Sequence, residues 1–385
     1  MLEAGTGLSS RVGAVTYACG SGDRGSVMDD RTIARWRLHT LGLAGERYPS
    51  PEAVVEGLLG VQAENYRQAA WAVACRAEPT VDEATFNRLF DDGAILRTHV
   101  LRPTWHFVTP TDIRWLLELT EPRIRRTLRA NLQALELDES LLEPAATVIT
   151  EALAGGAHLT RPALAERLGD AGLPDDGPRV ARLVAHAELE GLVCSGAMQG
   201  NQQTYALLAE RAPHPRRLDR DAALAEIVLR YFTGHGPATE RDLAYWATLT
   251  LTDVRAGLAA VADQLEHLEH DGRTYWYAHP PPDDGPLTPR GHLLLMLDEF
   301  HNGYQDSRHV LDADGILPRD RAASYSMTLV DGQMVGGLRR TLAQRRGTYE
   351  VGLYRPLDPD ERAVLEEAAE RAARFVGLEP RLVLS

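Results

Sequence analysis

The sequence predicts an α+β fold, in which three tandem winged-helix modules precede a C-terminal β-rich domain. Three observations support this fold class. A helix–turn–helix pattern occurs twice, a strand–turn–strand segment follows each copy, and the last hundred residues change to strand-like segments. A length of 385 residues is also too great for one hydrophobic core, so several modules are expected.

The repeat is clearest where a threonine precedes a helix. The segment Gly155–Ala165 recurs loosely as Gly234–Ala244, with Thr160 and Thr239 in matching places. Threonine is a favoured N-cap because its hydroxyl accepts a hydrogen bond from an otherwise unpaired backbone N–H. The helices predicted before and after these capped helices are 141–154 and 178–190 in the first copy, and 219–232 and 252–264 in the second.

A hairpin is predicted after each copy. The second hairpin, over 265–277, contains Asp271-Gly272, a dipeptide typical of a type I′ turn. The first hairpin, over 192–207, turns around Gln199-Gly200-Asn201. Three helices followed by a two-stranded wing is the order of a winged helix.

The N-terminal part fits a third, more diverged copy, and the C-terminal part does not. The predicted elements are helices at 29–42, 51–61 and 82–92, a hairpin over Ile95–Val108 that turns at residues 101–103, strands at 293–297, 326–330 and 348–353, and a last helix at 358–376. The predicted boundaries are a disordered extension over 1–27, winged helices over 28–140, 141–215 and 216–285, and the β-rich domain over 286–385.

The charge pattern limits how this chain can bind nucleic acid. The net charge is −14, which disfavours a large non-specific DNA surface. All basic residues are arginines, so lysine-dependent chemistry (a P-loop, a Schiff base, lyase cleavage of an abasic site) is excluded. Seven arginines against three carboxylates lie between Arg97 and Arg129, and four more arginines lie between Arg339 and Arg346. These stripes indicate either local DNA contacts or solvated helix faces.

Other classes of protein have little support. No apolar run reaches the roughly 18 residues that span a bilayer. Cys19, Cys75 and Cys194 are far apart and fit neither a disulfide framework nor a zinc site. We therefore expect a cytoplasmic protein with no membrane partner, no metal and no cofactor.

Four motifs in order resemble the AlkZ/YcaQ-like DNA glycosylase family over about residues 29–380. They are Leu59-Gly-Val-Gln-Ala-Glu64, Leu101-Arg-Pro-Thr-Trp-His-Phe-Val108, Gly236-Pro-Ala-Thr-Glu-Arg-Asp-Leu-Ala-Tyr-Trp246 and Leu297-Asp-Glu-Phe-His-Asn-Gly-Tyr-Gln-Asp-Ser-Arg308. The resemblance implies three winged helices around a DNA groove. It also implies hydrolysis of the N-glycosidic bond of cationic alkylpurines, including bulky guanine N7 adducts and crosslinks, in some relatives for self-resistance to a DNA-alkylating natural product.

The resemblance places the catalytic motif on Gln62-Ala63-Glu64. The family has Gln–apolar–Gln or Gln–apolar–Asp at this place, so Glu64 departs from both patterns. Two side chains separated by one residue share a face only in extended backbone. If Gln62 and Glu64 serve one substrate, the preceding helix must end near Val61, with Ala63 turned inward. The alternative is a surface Gln and Glu at the end of a helix.

Several residues are candidate DNA contacts. We expect Arg97 and Arg102 to contact phosphate, and His106 to contact phosphate or the lesion or else to be a polar residue of a half-buried strand. The other candidates are Gln199, Asn201 and Gln202 at the tip of the hairpin over 192–207, Arg308 in the last motif, and Arg339 and Arg340 in the second stripe. The set His301, Asp306 and His309 matches no recurrent metal site, and a hydrogen-bonded turn is preferred there.

Two other functions compete with the glycosylase. The first is a non-catalytic winged-helix regulator, favoured by the altered motif and the acidic net charge. The second is an enzyme acting on a small metabolite, which has little support because no cofactor motif is present. We expect a monomer, because three modules in one chain need no second copy to contact double-stranded DNA.

Overall fold

The structure, a computed structural model, describes residues 28–282, 290–318 and 326–385. The predicted N-terminal extension lies outside these residues. Within them the fold is a mixture of helices and small sheets, as the sequence predicts. None of the described helices is long and apolar enough to cross a membrane.

The first part of the chain forms four helices and a three-stranded antiparallel sheet. The elements are α1 (Asp30–Thr40), α2 (Pro51–Gly57), β1 (Val61–Gln62), α3 (Tyr66–Ala74), α4 (Glu83–Asp91), β2 (Leu96–His99) and β3 (Trp105–Val108), and the sheet order is β1-β3-β2. The hairpin predicted over Ile95–Val108 is confirmed. Helix α3 was not predicted, because it is buried on most sides and lacks the polar stripe that marks an amphipathic helix.

The second part is mostly helical and contains the hairpin predicted over 192–207. It comprises α5 (Ile113–Ala134), α6 (Glu139–Leu153), β4 (Leu159–Thr160), α7 (Arg161–Asp170), α8 (Gly177–Leu189), β5 (Val193–Ser195), β6 (Thr204–Leu207) and α9 (Leu208–Arg211). Strands β5 and β6 are antiparallel, so the hairpin over 192–207 is confirmed. Thr160 caps α7, its hydroxyl accepting from the Ala163 backbone N–H at 3.4 Å. The 22-residue helix α5 was not predicted.

The third part repeats the order of three helices and a hairpin. It comprises α10 (Arg220–Gly234), α11 (Glu240–Trp246), α12 (Leu251–Val261), β7 (Glu266–His270) and β8 (Arg273–Tyr277). Thr239 and Asp242 form a reciprocal capping box at the start of α11. Asp271 and Gly272 both have positive φ, 49° and 69°, as a type I′ turn requires, and the predicted hairpin is confirmed. Assignment of these parts to three winged-helix modules stays a prediction.

The last part contains a five-stranded sheet covered by one helix. It comprises β9 (Gly291–Leu294), α13 (Glu299–Asn302), β10 (Met327–Val330), β11 (Gln333–Leu342), β12 (Arg346–Leu353), α14 (Pro359–Phe375) and β13 (Glu379–Leu384). The strand order is β13-β12-β11-β10-β9, and only the β12–β13 pair is parallel. The predicted strands and helix are present. Strands β11 and β13 were missed, and β13 is a largely exposed edge strand without a buried apolar face.

The described apolar residues pack into two clusters. The larger joins the first part of the chain to the third part and to the C-terminal sheet. Trp71 of α3 links the first part of the chain to the C-terminal sheet, because its Nε1 donates to the Leu293 carbonyl of β9 at 3.1 Å. The smaller cluster belongs to α6, α7, α8 and the β5–β6 hairpin. The candidate site lies where these parts of the chain meet.

Candidate active site

The backbone of the Gln62-Ala63-Glu64 motif is extended at Gln62 and Ala63 and bends at Glu64. Helix α2 ends at Gly57, and Gln62 pairs with His106 across the antiparallel β1–β3 ladder. The Ala63 N–H continues this ladder by donating to the Trp105 carbonyl at 2.7 Å. Side chains alternate along extended backbone, and Ala63 is fully buried on the opposite face from Gln62. The expected end of the helix before this motif is therefore confirmed, and the alternative of a helical Gln and Glu is wrong.

Gln62 lies in a buried polar cluster and is only 8% exposed. Its side-chain Oε1 accepts hydrogen bonds from Arg102 Nη2 at 2.9 Å and from Asn302 Nδ2 at 3.2 Å. Its backbone N–H donates to Glu299 Oε1 at 2.8 Å. The C-terminal part of the chain thus holds both the backbone and the side chain of the first motif residue.

Glu299 is the anchor of this cluster. Its carboxylate is fully buried and accepts from Trp246 Nε1 at 2.8 Å, while His235 Nε2 lies 3.4 Å away. Burial acts to raise the pKa of Glu299, but the His235 hydrogen bond and the Arg102 charge outweigh it and lower the pKa to about 2. Glu299 is therefore an ionised structural carboxylate that fixes strand β1 from the interior of the protein.

Glu64, by contrast, is exposed and lines an open groove of about 800 Å³. Its Oε2 accepts from the Trp105 backbone N–H at 3.2 Å. The groove is lined by residues of α3, α4, the β2–β3 hairpin, the start of α7 and the β5–β6 hairpin: Glu64, Asn65, Tyr66, Arg67, Glu83, Asn87, Arg97, Trp105, Arg161, Pro162, Met198, Gly200, Asn201, Gln202, Gln203 and Tyr205. Gln62 is not among these lining residues. The motif therefore offers one accessible carboxylate and one nearly buried amide.

Arg97 stabilises the backbone of the motif from the interior of the protein. The residue is 5% exposed, and its Nε donates to the Ala63 carbonyl at 2.9 Å. Its Nη2 reaches the Glu64 carbonyl at 3.3 Å, its Nη1 donates to Gln203 Oε1, and its guanidinium lies 4.2 Å from the Trp105 ring centroid. Burial lowers the pKa of Arg97 to about 10. Arg97 thus ties Glu64 to the β5–β6 hairpin.

The phosphate contacts expected of Arg97, Arg102 and His106 need correction, because all three side chains are buried. Arg102 is 7% exposed and donates to Gln62 and to the Asn302 carbonyl. His106 is fully buried, with Nδ1 3.0 Å from the Thr104 carbonyl and Nε2 3.3 Å from Arg102 Nη2. Burial, aided by the Arg102 charge, lowers the pKa of His106 to about 3, so the ring is neutral. These residues support the site from inside the protein.

The tip of the β5–β6 hairpin is exposed. Gln199 and Gln202 close it with two backbone hydrogen bonds, of 2.9 and 3.0 Å. Asn201 and Gln202 line the groove opposite Glu64, whereas Gln199 does not. Arg161 at the start of α7 adds an exposed cation to the same wall.

The remaining predicted arginines have different surroundings. Arg308 is half-buried and donates to the His301 carbonyl at 3.1 Å and to the Tyr304 carbonyl, and its expected DNA contact stays a prediction. Arg339 is well exposed on β11, whereas Arg340 is half-buried near Tyr349. Of this set, Arg339 is the cation most accessible to DNA.

Segment 298–308 is a structural turn. Asp298 is paired with Arg76 at 2.7 Å in the interior. Asp306 accepts from Thr239, whereas His301 contacts Asn302. Within the described residues no group of three His, Cys, Asp or Glu is placed to hold a metal ion. Asn302 and Glu299 were not predicted as site residues, although both lie in the last of the four motifs.

Three of the seven non-glycine residues with positive φ, among the residues that the structure describes, lie beside the site. Leu59, Leu101 and Leu297 have φ values of 63°, 66° and 67°. Positive φ is a real outlier for a bulky side chain and costs about 1–3 kcal/mol at each position. Leu59 precedes strand β1, which carries Gln62. Leu101 directly precedes Arg102, and Leu297 precedes helix α13, which ends at Asn302; both Arg102 and Asn302 contact Gln62. The strain marks three places where packing fixes the backbone that supports the motif.

Comparisons with known proteins identify the family that the chain resembles. The model of the AlkZ-like DNA glycosylase family matches residues 55–375, which is most of the chain. A Streptomyces sahachiroi protein named interstrand DNA cross-link repair glycosylase is 26% identical over 261 residues, covering 63% of this chain and 68% of that protein. The solved structure of Streptomyces sahachiroi DNA glycosylase AlkZ has the same fold, with a TM-score of 0.73 and 22% identity over 92% of this chain and 98% of that one.

The fold and the family match define the class of protein as a DNA repair enzyme that acts on N-glycosyl bonds. The chain belongs to the AlkZ-like DNA glycosylase family. DNA is therefore its partner, and the resemblance stated from the four motifs is confirmed.

Proposed function

We propose that this enzyme hydrolyses the N-glycosidic bond of cationic alkylpurines in duplex DNA, with bulky guanine N7 adducts or crosslinks as its substrates. The observation that carries the proposal is the contrast between the two motif residues. Glu64 is an exposed carboxylate in a groove of about 800 Å³, and Gln62 is held two residues away on strand β1 by hydrogen bonds from Arg102 and Asn302.

The chemistry suits an alkylated purine. Alkylation at N7 makes the base cationic, so the base can leave as a neutral molecule without being protonated. What the enzyme must supply is stabilisation of an oxocarbenium-like sugar and a directed water. Glu64 does both, because its charge opposes the developing cation and its carboxylate accepts the water proton. The water oxygen bonds to C1′, the C1′–N9 bond breaks, and its electron pair leaves with the base.

The product follows from the composition. The chain contains no lysine, so no lysine amine is available to form a Schiff base with the opened sugar. The enzyme is therefore monofunctional and leaves an intact abasic site. We include a monomeric state in the proposal, because the three predicted modules of one chain need no second copy to contact double-stranded DNA.

The size of the lesion is a separate part of the proposal. The groove is open along one side and walled by a polar hairpin tip, which leaves room for an adduct larger than methyl. A relative is named as an interstrand cross-link repair glycosylase, which supports the same substrate class. We include in the proposal a role in self-resistance to a DNA-alkylating natural product.

The deciding experiment uses duplex DNA with one defined guanine N7 adduct. Single-turnover incubation with excess enzyme, followed by alkaline cleavage at abasic sites, measures excision directly. We expect strand breaks at the adduct only, with N7-methyl and bulky N7 adducts compared side by side. Tight binding without excision of either adduct would instead support a non-catalytic DNA-binding protein.

A further inference from the structure

We propose that Asn302 and Arg102 are positioning residues that fix the rotamer of the Gln62 amide, so that Gln62 acts in the reaction only as a hydrogen-bond donor through Nε2. This inference rests on the proposed glycosylase mechanism and assigns the atom that Gln62 uses. It also gives the C-terminal part of the chain a direct part in the geometry of the site.

The orientation of the amide follows from the chemistry of its neighbours. Arg102 Nη2 lies 2.9 Å from the Gln62 side chain, and a guanidinium has donors only, so the atom facing it is the oxygen. Asn302 Nδ2 donates to the same oxygen at 3.2 Å. Both lone pairs of Oε1 are therefore occupied. Among the described residues none accepts a hydrogen bond from Nε2, which is the end left for substrate or water.

The amide of Asn302 is itself fixed. Its Oδ1 lies 2.9 Å from His301 Nδ1, which leaves Nδ2 to face Gln62. Arg102 Nη1 also donates to the Asn302 carbonyl at 2.9 Å, so the two residues that hold Gln62 hold each other. Asn302 ends helix α13 and is 6% exposed. Arg102 and Asn302 therefore both donate to Gln62 Oε1 and hold this oxygen in place; we call the two residues the clamp.

The clamp defines how the water is held. A water that accepts a hydrogen bond from Gln62 Nε2 keeps one lone pair for attack on C1′ and its protons for Glu64. If the amide were rotated by 180°, its oxygen would face the water as a second acceptor. That arrangement would compete with Glu64 for the water proton and turn the lone pair away from the sugar.

A double-mutant cycle tests whether Asn302 acts through Gln62. We expect Asn302→Ala to slow single-turnover excision about 10-fold with unchanged DNA affinity, as for the loss of one orienting hydrogen bond. In the Gln62→Ala background the same substitution should have no further effect, because its target is gone. Asn131→Ala, on the exposed face of α5, is the matched control and should leave the rate unchanged. Rate losses that multiply in the double variant would overturn the proposal.

A second measurement does not depend on excision. Selective ¹⁵N-glutamine labelling reports the side-chain NH₂ of Gln62, assigned by its loss in Gln62→Ala, and the other signals report that the protein is folded. The nearly isosteric Asn302→Asp replaces a donor with an acceptor, so it should shift the Gln62 NH₂ resonance, whereas Asn131→Asp should not.

The two measurements separate two possible failures. An unmoved Gln62 resonance in folded Asn302→Asp overturns the clamp even if wild type excises adducts. A shifted resonance in a protein that excises nothing supports the clamp and overturns the proposed reaction.

Discussion

Removal of the Glu64 carboxylate is the most direct test of the mechanism. Glu64→Ala removes both the negative charge and the base, and it also removes the acceptor of the Trp105 backbone N–H at 3.2 Å. The last loss matters little to folding, because Glu64 is exposed and water can replace the bond. The perturbation is therefore largely confined to chemistry.

The size of the effect follows from the position of the carboxylate. At about 4 Å from an oxocarbenium ion, one charge contributes about 1 kcal/mol in bulk water and about 4 kcal/mol near a protein surface. These limits correspond to about 5-fold and about 10³-fold in rate. With a positioned base added, we expect Glu64→Ala to slow excision by about 10²–10⁴-fold. Glu64→Gln should lose less, because it keeps a hydrogen-bonding group and recreates the commoner motif of the family.

The assay is single-turnover excision of a guanine N7 adduct from duplex DNA, with DNA affinity measured separately by fluorescence anisotropy. Glu143→Ala, an exposed carboxylate on α6, is the matched control and should leave both quantities unchanged. Undiminished excision by folded Glu64→Ala would exclude Glu64 as the catalyst. A loss of affinity equal to the loss of rate would assign Glu64 to binding instead.

Three further predictions concern binding and stability. The double variant Arg126→Ala/Arg129→Ala on the exposed face of α5 should reduce the slope of log affinity against log salt by about two, measured by anisotropy; an unchanged slope would exclude both as phosphate contacts. Arg97→Ala should lower the free energy of unfolding by about 1–3 kcal/mol in urea titrations, because buried carbonyls lose their donor; unaltered stability would contradict its internal role. The free energy of unfolding should fall on acidification. The first fall is expected between pH 6.5 and 3, because the unfolded chain protonates this histidine there, whereas folded His106, with its pKa lowered to about 3, stays neutral. The free energy of unfolding should fall further from pH 4.5 towards 2, because the unfolded chain protonates this glutamate while folded Glu299, with its pKa lowered to about 2, stays ionised. A free energy of unfolding that stays constant from pH 7 to 3 would contradict both assignments.

The sequence predicted those parts of the fold that local rules determine. Thr160 and Thr239 cap helices, and Asp271-Gly272 forms its turn, because each depends on residues a few positions away. The extended backbone at Ala63 was also predictable, since a shared face for Gln62 and Glu64 requires it. Helix α3 was not, because burial on most sides removes the periodic pattern.

The interior of the site was beyond such rules. Arg102 and His106 alternate with apolar residues on a short hairpin, a pattern that equally fits an exposed polar face. Their burial depends on the cover provided by Glu299 and Asn302, about 200 residues later. Only pairing of distant segments determines which polar side chains support the site and which reach the DNA.

The two walls of the groove rest differently on the two apolar clusters. The strand before Glu64 rests on the larger cluster, whereas the hairpin that faces Glu64 contacts both clusters, the smaller through Val193 and Tyr205 and the larger through Cys194 and Met198. Arg97 joins the two walls through single hydrogen bonds, to Gln203 and from its backbone to Ser195. The Met198 N–H of the hairpin also donates to Asp91 of α4 at 2.7 Å, so the hairpin is held in place while exposed side chains at its tip, such as Asn201 and Gln202, can vary in sequence. Evolution or engineering can in this way alter the lesions admitted to the groove while the hydrolytic residues keep their places.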